Sequence, residues 1–187
     1  RETISLGWNY QSIADSSLDL WLDGYKAGIP DKKVSIYNRG ALISLCLDLF
    51  LLGRQSSLED VMKQMWLKYG KTEKGYTLRD FQSVVSACAR DTSFIDSVFE
   101  RYVYGTNDLL PVIYECLESV DIEIRTDNEP DDLGPPYGIL VDDSGTITRL
   151  HPDAPAYGQL MRGDQINAME STDQLLKLEV SRNGKSV

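Results

Sequence analysis

The hydrophobic period of the chain changes once, near residue 122. Before that point, core-type positions recur at three- and four-residue spacing, the period of helices that bury one face. Ile13, Ser17, Leu20 and Trp21 mark a first helix within Ser12 to Tyr25, stopped by Gly28-Ile29-Pro30. Ile36 to Leu52 is the second. From Ala41 to Leu52 it is apolar except at Ser44 and Asp48, which predicts a core helix, and Gly53 ends it. Ser56 and Glu59, three apart, predict a capping box before a stripe of Leu58, Val61, Met62, Met65, Trp66 and Tyr69. Thr77 with Asp80 caps the next helix, which turns Leu78, Phe81, Val84, Val85 and Cys88 inward. Ser93 with Asp96 caps another, with Phe94, Ile95, Val98, Phe99 and Tyr102 inward. Asp108 caps the last, because Pro111 falls in its first turn, where a missing N–H costs nothing.

Beyond residue 122 the pattern shortens. Ile122-Glu123-Ile124-Arg125 alternates as a strand does. An acidic stretch, Asn128 to Asp132, and Gly134-Pro135-Pro136 then read as a linker. Short strands are expected at Tyr137–Val141, Thr146–Leu150, Asp164–Met169 and Leu178–Arg182, and Asn183-Gly184 is a strong hairpin signal. The expected fold class is α+β. Residues 1–126 form a helical part, 127–136 a linker and 137–187 a small β-rich domain.

Composition narrows the function classes. With 187 residues, 42% hydrophobic and 26% charged, the chain is of ordinary globular type. A net charge of −10 argues against nucleic acid and against an anionic membrane surface, since both need a basic patch. The longest apolar run falls short of the roughly 20 residues of a membrane span. Cys46, Cys88 and Cys116 form no CxxC pair and are odd in number, so free buried thiols are expected. That leaves the compartment open between cytoplasmic and exported. Arg1-Glu2-Thr3 resembles neither a signal peptide nor a natural start, as in a processed chain or a piece of a longer one.

The candidate chemistry lies at Tyr37-Asn38-Arg39-Gly40, at the mouth of the apolar helix, where a tyrosine and a glycine suggest a cleft wall. No HExxH, P-loop or GxSxG accompanies it. His151 is the sole histidine, which excludes a histidine-based triad or multi-histidine metal site within the chain. Asp142 to Thr148 has calcium-loop composition. Aligning Gly145 with the loop glycine, however, puts Leu140 and His151 at ligand positions, so a tight turn is expected. Asp48 is expected to be a buried carboxylate paired with an arginine such as Arg39, and Trp8, Trp21 and Trp66 core or boundary aromatics.

Pro136-Tyr137-Gly138-Ile139-Leu140, His151 to Ala156 and Gly158-Gln159-Leu160-Met161-Arg162-Gly163-Asp164-Gln165-Ile166 together resemble a PDZ domain of the bacterial protease-associated type. That resemblance implies a carboxylate-binding loop at Tyr137, Gly138, Ile139 and Leu140, where backbone N–H groups hold a peptide C-terminus and a strand edge extends it. It also implies a groove helix over Thr172 to Lys177, with a preceding stretch that is short for the family.

Gln11-Ser12-Ile13-Ala14-Asp15-Ser16-Ser17-Leu18-Asp19-Leu20-Trp21 is similar to the QSLAESSFDAW block of glycyl-aminopeptidase-type zinc metallopeptidases. Ser35 to Asp48 is similar to their S-x-Y-x-K/R-GALVALCLDL block, and Ser57–Met62, Gly75-Tyr76-Thr77 and Arg101–Thr106 continue in order. The resemblance implies the C-terminal helical part of a thermolysin-like (gluzincin) catalytic domain followed by a PDZ domain. It places zinc, the HExxH helix and the general base on an upstream half of the parent protein, and no zinc is expected on these residues. It implies peptide substrates and a catalytic role for Tyr37, whose phenol would donate to the oxyanion of the tetrahedral intermediate. By itself the chain is expected to lack peptidase activity. The alternative is a non-catalytic scaffold that recognises C-terminal carboxylates.

Overall fold

The computed structural model describes residues 10–23, 34–124, 133, 137–171 and 176–187. Its first part is built from helices α1 (Ile13–Leu18), α2 (Leu20–Asp23), α3 (Ile36–Leu52), α4 (Leu58–Met65), α5 (Leu78–Ala89), α6 (Thr92–Val98) and α7 (Leu110–Glu118). Both α4 and α6 run on into a wider π turn, at Trp66–Gly70 and Phe99–Val103. The predicted linker and the stop at Gly28-Ile29-Pro30 lie outside the described residues, apart from Leu133.

Side-chain oxygens receive the first orphan N–H groups of most of these helices. Ser12 accepts from Asp15 N at 3.0 Å, and Ser35 from Asn38 N at 3.2 Å. Thr77 and Asp80 form the expected reciprocal capping box. Asp108 accepts from Leu110 N at 3.0 Å, with Pro111 in the first turn. Two caps differ from expectation. Ser57, not Ser56, caps α4 and accepts from Asp60 N at 3.2 Å, because Ser56 N is used to close the preceding turn on Leu51 O. Asp91, not Ser93, caps α6 and accepts from Phe94 N at 3.0 Å.

The axis of the helical body is α3, which buries Ile43, Cys46, Leu47 and Leu51. Val61, Met65 and Tyr69 close on it, as do Val84, Val85 and Ala89, then Ile95, Val98 and Phe99, and finally Leu109 and Ile113. Each large side chain buried there contributes about 1.5–3 kcal/mol. The end of α3 is fastened to α6: Phe50 stacks on Phe94 with ring centroids 3.7 Å apart, and Arg54 lies 3.5 Å above the Phe50 ring while pairing with Asp91. The stripe on α4 is narrower than predicted. Met62 and Trp66 are 61% and 60% exposed, so the buried face is Val61, Met65 and Tyr69, at strict four-residue spacing. Trp66 nonetheless has a local role, since its ring covers Gly70, where a Cβ would collide with it. Trp21 is 87% exposed, so neither it nor Trp66 is a core residue, and Trp8 lies outside the described residues.

The expected strand at Ile122–Arg125 does not form over its described residues. Ile122 N instead bonds to Leu117 O, closing the end of α7, and Ile122 and Ile124 are exposed.

The second part holds β1 (Ile139–Val141) paired with β2 (Ile147–Leu150), and β3 (Gln165–Ser171), β4 (Leu176–Arg182) and β5 (Lys185–Ser186) in that order, all antiparallel. Leu133, Ile139, Ile147 and Leu150 form its core, with Tyr137, Ala156, Leu160, Ile166, Met169, Leu176 and Leu178 packed around them. The two sheets are tied by Ile147 N to Asp164 O and Gly163 N to Ile147 O, both 2.8 Å. Asp164 is 1% exposed; its carboxylate takes a two-pronged ion pair from Arg182 at 2.7 and 2.8 Å and a bond from Met161 N. Asn183 and Gly184 both have positive φ, as the β4–β5 hairpin requires. Asp142 caps the β1–β2 turn by accepting from Ser144 N and Thr146 N. The expected groove helix is not formed at Leu176 and Lys177, which pair in β4 with Ser171 and Glu170, and residues 172–175 lie outside the described set.

Candidate functional site

The Tyr37-Asn38-Arg39-Gly40 motif occupies the first turns of α3, just after its Ser35 cap. Residues two apart on a helix project about 200° apart, so the motif splits between two sides. Tyr37 faces outward and is 62% exposed. Arg39 points inward and is 1% exposed, and its Nη2 reaches the carbonyl oxygens of Gly105 and Asn107 at 3.5 and 3.4 Å. Burial lowers the pKa of Arg39, and Asp108 opposes that shift. The loop that Arg39 meets is equally constrained: a Cβ at Gly105 would lie 2.6 Å from Glu100 O and 2.7 Å from Arg101 O. The tyrosine thus stands on a helix turn anchored from within by its own neighbour in sequence.

Gly40 is not required by crowding. A Cβ there would meet Ile13 Cδ1 at 3.5 Å, an ordinary contact between α3 and α1. Gly40→Ala is therefore expected to stabilise the protein by about 0.5–1 kcal/mol, the usual gain for removing a helix-interior glycine, measured by chemical denaturation. A loss of stability would mean that the α1–α3 contact admits no methyl group.

Asp48 does not pair with Arg39. Nine residues along one helix separate them by about 13 Å, too far for an ion pair. Asp48 Oδ1 instead accepts from Leu58 N at 2.8 Å and so helps to start α4. The thiols are free, with Cys46 buried and Cys88 and Cys116 half-buried. Burial pushes Cys46 up to about 12, and Cys116 upward as well, so neither supplies a thiolate nucleophile at neutral pH. Among the described residues, no three His, Cys, Asp or Glu side chains come together to hold a metal ion. The described residues therefore do not fit a zinc centre.

The four residues of the expected carboxylate loop lie at the start of β1, and their side chains fall on two sides of it. Tyr137 and Ile139 line a cleft of about 540 Å³ with Ala156, Leu160, Leu176 and Val180, whereas Leu140, pointing the opposite way in the pleat, is not part of its wall. Gly138 has φ +66°, and a Cβ there would lie 2.5 Å from Ala154 Cβ and 2.7 Å from His151 Cβ. Its glycine is thus required by the chain's own His151–Ala154 turn. Ile139 N–H already donates to Leu133 O at 3.1 Å. The sequence marks Leu160 within the glycine-aspartate block, but it does not reveal that Val180 and Val187 also line the cleft. Val180 is visible in the sequence only as a residue of the expected Leu178–Arg182 strand.

Residues 1–43 match the model of the M61 glycyl aminopeptidase family. That match covers 43 of the 187 residues, and over it the chain is similar to the M61 peptidases. No curated protein matches it. The matched stretch covers α1, α2 and the first half of α3, and so contains Tyr37, Arg39 and Gly40. No described helix is long and apolar enough to cross a membrane.

Proposed function

We propose that this chain is the C-terminal portion of a zinc-dependent aminopeptidase that hydrolyses N-terminal peptide bonds, and that Tyr37 donates a hydrogen bond to the oxyanion of the tetrahedral intermediate. The observation that carries this reading is the placement of Tyr37: it lies inside the family match, on an exposed first turn held from within by Arg39. A donor helps catalysis only if it is held where charge develops, and the buried guanidinium restrains the turn that carries the phenol. As the family resemblance implies, the metal and general base would lie on an upstream half of the parent protein. The test is the turnover of a Tyr37→Phe variant of that parent.

A second reading is favoured by the cleft beside β1. Its apolar walls, Tyr137, Ile139, Leu160 and Leu176, suit the side chain of a peptide C-terminus bound in the manner of a PDZ domain, and this would serve substrate capture or a non-catalytic scaffold alike. Gly138 and Ile139 would supply the carboxylate contacts only if the Leu133 carbonyl gave up the Ile139 N–H. Titration with one apolar peptide as free acid and as C-terminal amide checks this. The free acid is expected to bind at least about tenfold more tightly, a difference of about 1.4 kcal/mol. Equal affinities would rule out carboxylate recognition.

A further inference from the structure

Tyr10 immediately precedes α1 and reaches the β-rich part of the chain. Its ring meets the ring of His151 edge-to-face, with centroids 5.3 Å apart. Burial, with the Asp153 side chain nearby, pushes its phenol up to about 12, so at neutral pH it stays protonated. The neighbours of Tyr10 tie it to the helical body. Ser12 is buried and caps α1, Gln11 Nε2 bonds to Asp19 Oδ2 at 2.9 Å, and Ile13 packs against Gly40 of α3.

The contacted turn is itself well ordered. Asp153 N donates to His151 Nδ1 at 3.2 Å, and Ala154 N donates to His151 O at 3.0 Å. The opposite side of this turn presses on Gly138, and His151 N donates to Gly138 O at 2.7 Å. Ile13 thus meets α3, and three residues earlier in the chain Tyr10 meets the His151–Ala154 turn, which abuts Gly138 at the start of β1.

We propose that Tyr10 is a latch that docks the β-rich part onto the helical body through the His151–Ala154 turn, and that this docking holds Gly138 and the start of β1 in the observed conformation. The partner surface is thus this chain's own turn, recognised by ring packing on His151, with Asp153 beside the phenol. The docking makes the cleft wall at Tyr137 and Ile139 answer to the state of the helical body. Anything that moves α1 relative to α3 would be felt at the cleft.

Hydrogen exchange on the 187-residue chain tests the latch, comparing the wild type with Tyr10→Phe, Tyr10→Ala and Asp153→Asn. The reporting amides are His151, Ala154 and Ile139, all hydrogen-bonded within the turn or beside it. In Tyr10→Ala they are expected to exchange about tenfold faster, while amides of α3 and α5 keep their wild-type rates. Tyr10→Phe retains the ring and removes only the hydroxyl near Asp153, so it should fall between, and Asp153→Asn should change exchange no more than Tyr10→Phe does. Wild-type exchange at the three amides in both Tyr10 variants would overturn the proposal. So would loss of protection throughout α3, which would make Tyr10 a core residue of the helical body.

Discussion

Tyr37→Phe in the parent protein of the proposed aminopeptidase is expected to lower kcat by about 100- to 1,000-fold, the cost of removing one preorganised oxyanion donor, with KM changed by less than about threefold. The substitution deletes one hydroxyl from a side chain that is 62% exposed, so it should leave the fold intact; exposed positions usually shift stability by within about 0.5 kcal/mol. Stability and catalysis are thus separable at this residue. The hydroxyl would act on charge that exists only as the carbonyl becomes tetrahedral, which is why kcat rather than KM carries the effect. Steady-state kinetics on an aminoacyl reporter substrate, with denaturation curves on the same variant, checks both halves. A kcat within about threefold of wild type would remove Tyr37 from the mechanism and leave it a surface residue of α3.

Arg39→Ala is expected to show the converse, a large loss of stability: about 3 kcal/mol. Three contributions point the same way. The carbonyls of Gly105 and Asn107 lose their donor, Asp108 loses a neighbouring cation, and a cavity opens where a side chain only 1% exposed had been. The aliphatic stem of the arginine is lost as well as its charge. At roughly 2–4 °C per kcal/mol for a chain of this size, the melting temperature of the helical body should fall by about 6–12 °C. Arg39→Lys should recover part of the loss, because an ammonium keeps the charge but cannot span both carbonyls with a planar fork. A fall of less than about 2 °C for Arg39→Ala would show that the contacts at 3.4 and 3.5 Å contribute little and that the loop is held by Gly105 alone.

Helices whose ends are marked by short-range chemistry are legible from the order of residues alone. The span Ile36–Leu52, the Thr77–Asp80 box and the Asn183-Gly184 hairpin form where expected because each depends on residues within four positions of one another. The departures from expectation have a common cause. Ser56 and Ser93 are plausible caps by spacing, but Ser56 N is drawn back to Leu51 O, and Asp91 takes the α6 cap at Phe94 N. The alternation at Ile122–Ile124 suits a strand, yet a strand needs a partner, and the turn closing α7 takes the Ile122 N–H. Met62 and Trp66 fit the helical period, but a period does not state how wide the covering surface is. At the candidate site, residue identity points to Tyr37 while nothing local shows what Arg39 meets, because Gly105 and Asn107 lie 66 and 68 residues away.

Local chemistry suffices for the helix-then-sheet order, most of the helix ends, the hairpin turn and the motif that carries the family resemblance. These rest on backbone geometry, capping and side-chain period, which act over one or two turns of chain. Long-range packing alone makes Tyr37 face outward while Arg39 is buried, sets Asp48 at the start of α4, ties Gly138 to the His151–Ala154 turn and brings Tyr10 across to that turn. Each of these depends on which distant surface arrives opposite a given side chain, and that is settled by packing the whole chain rather than by any local preference.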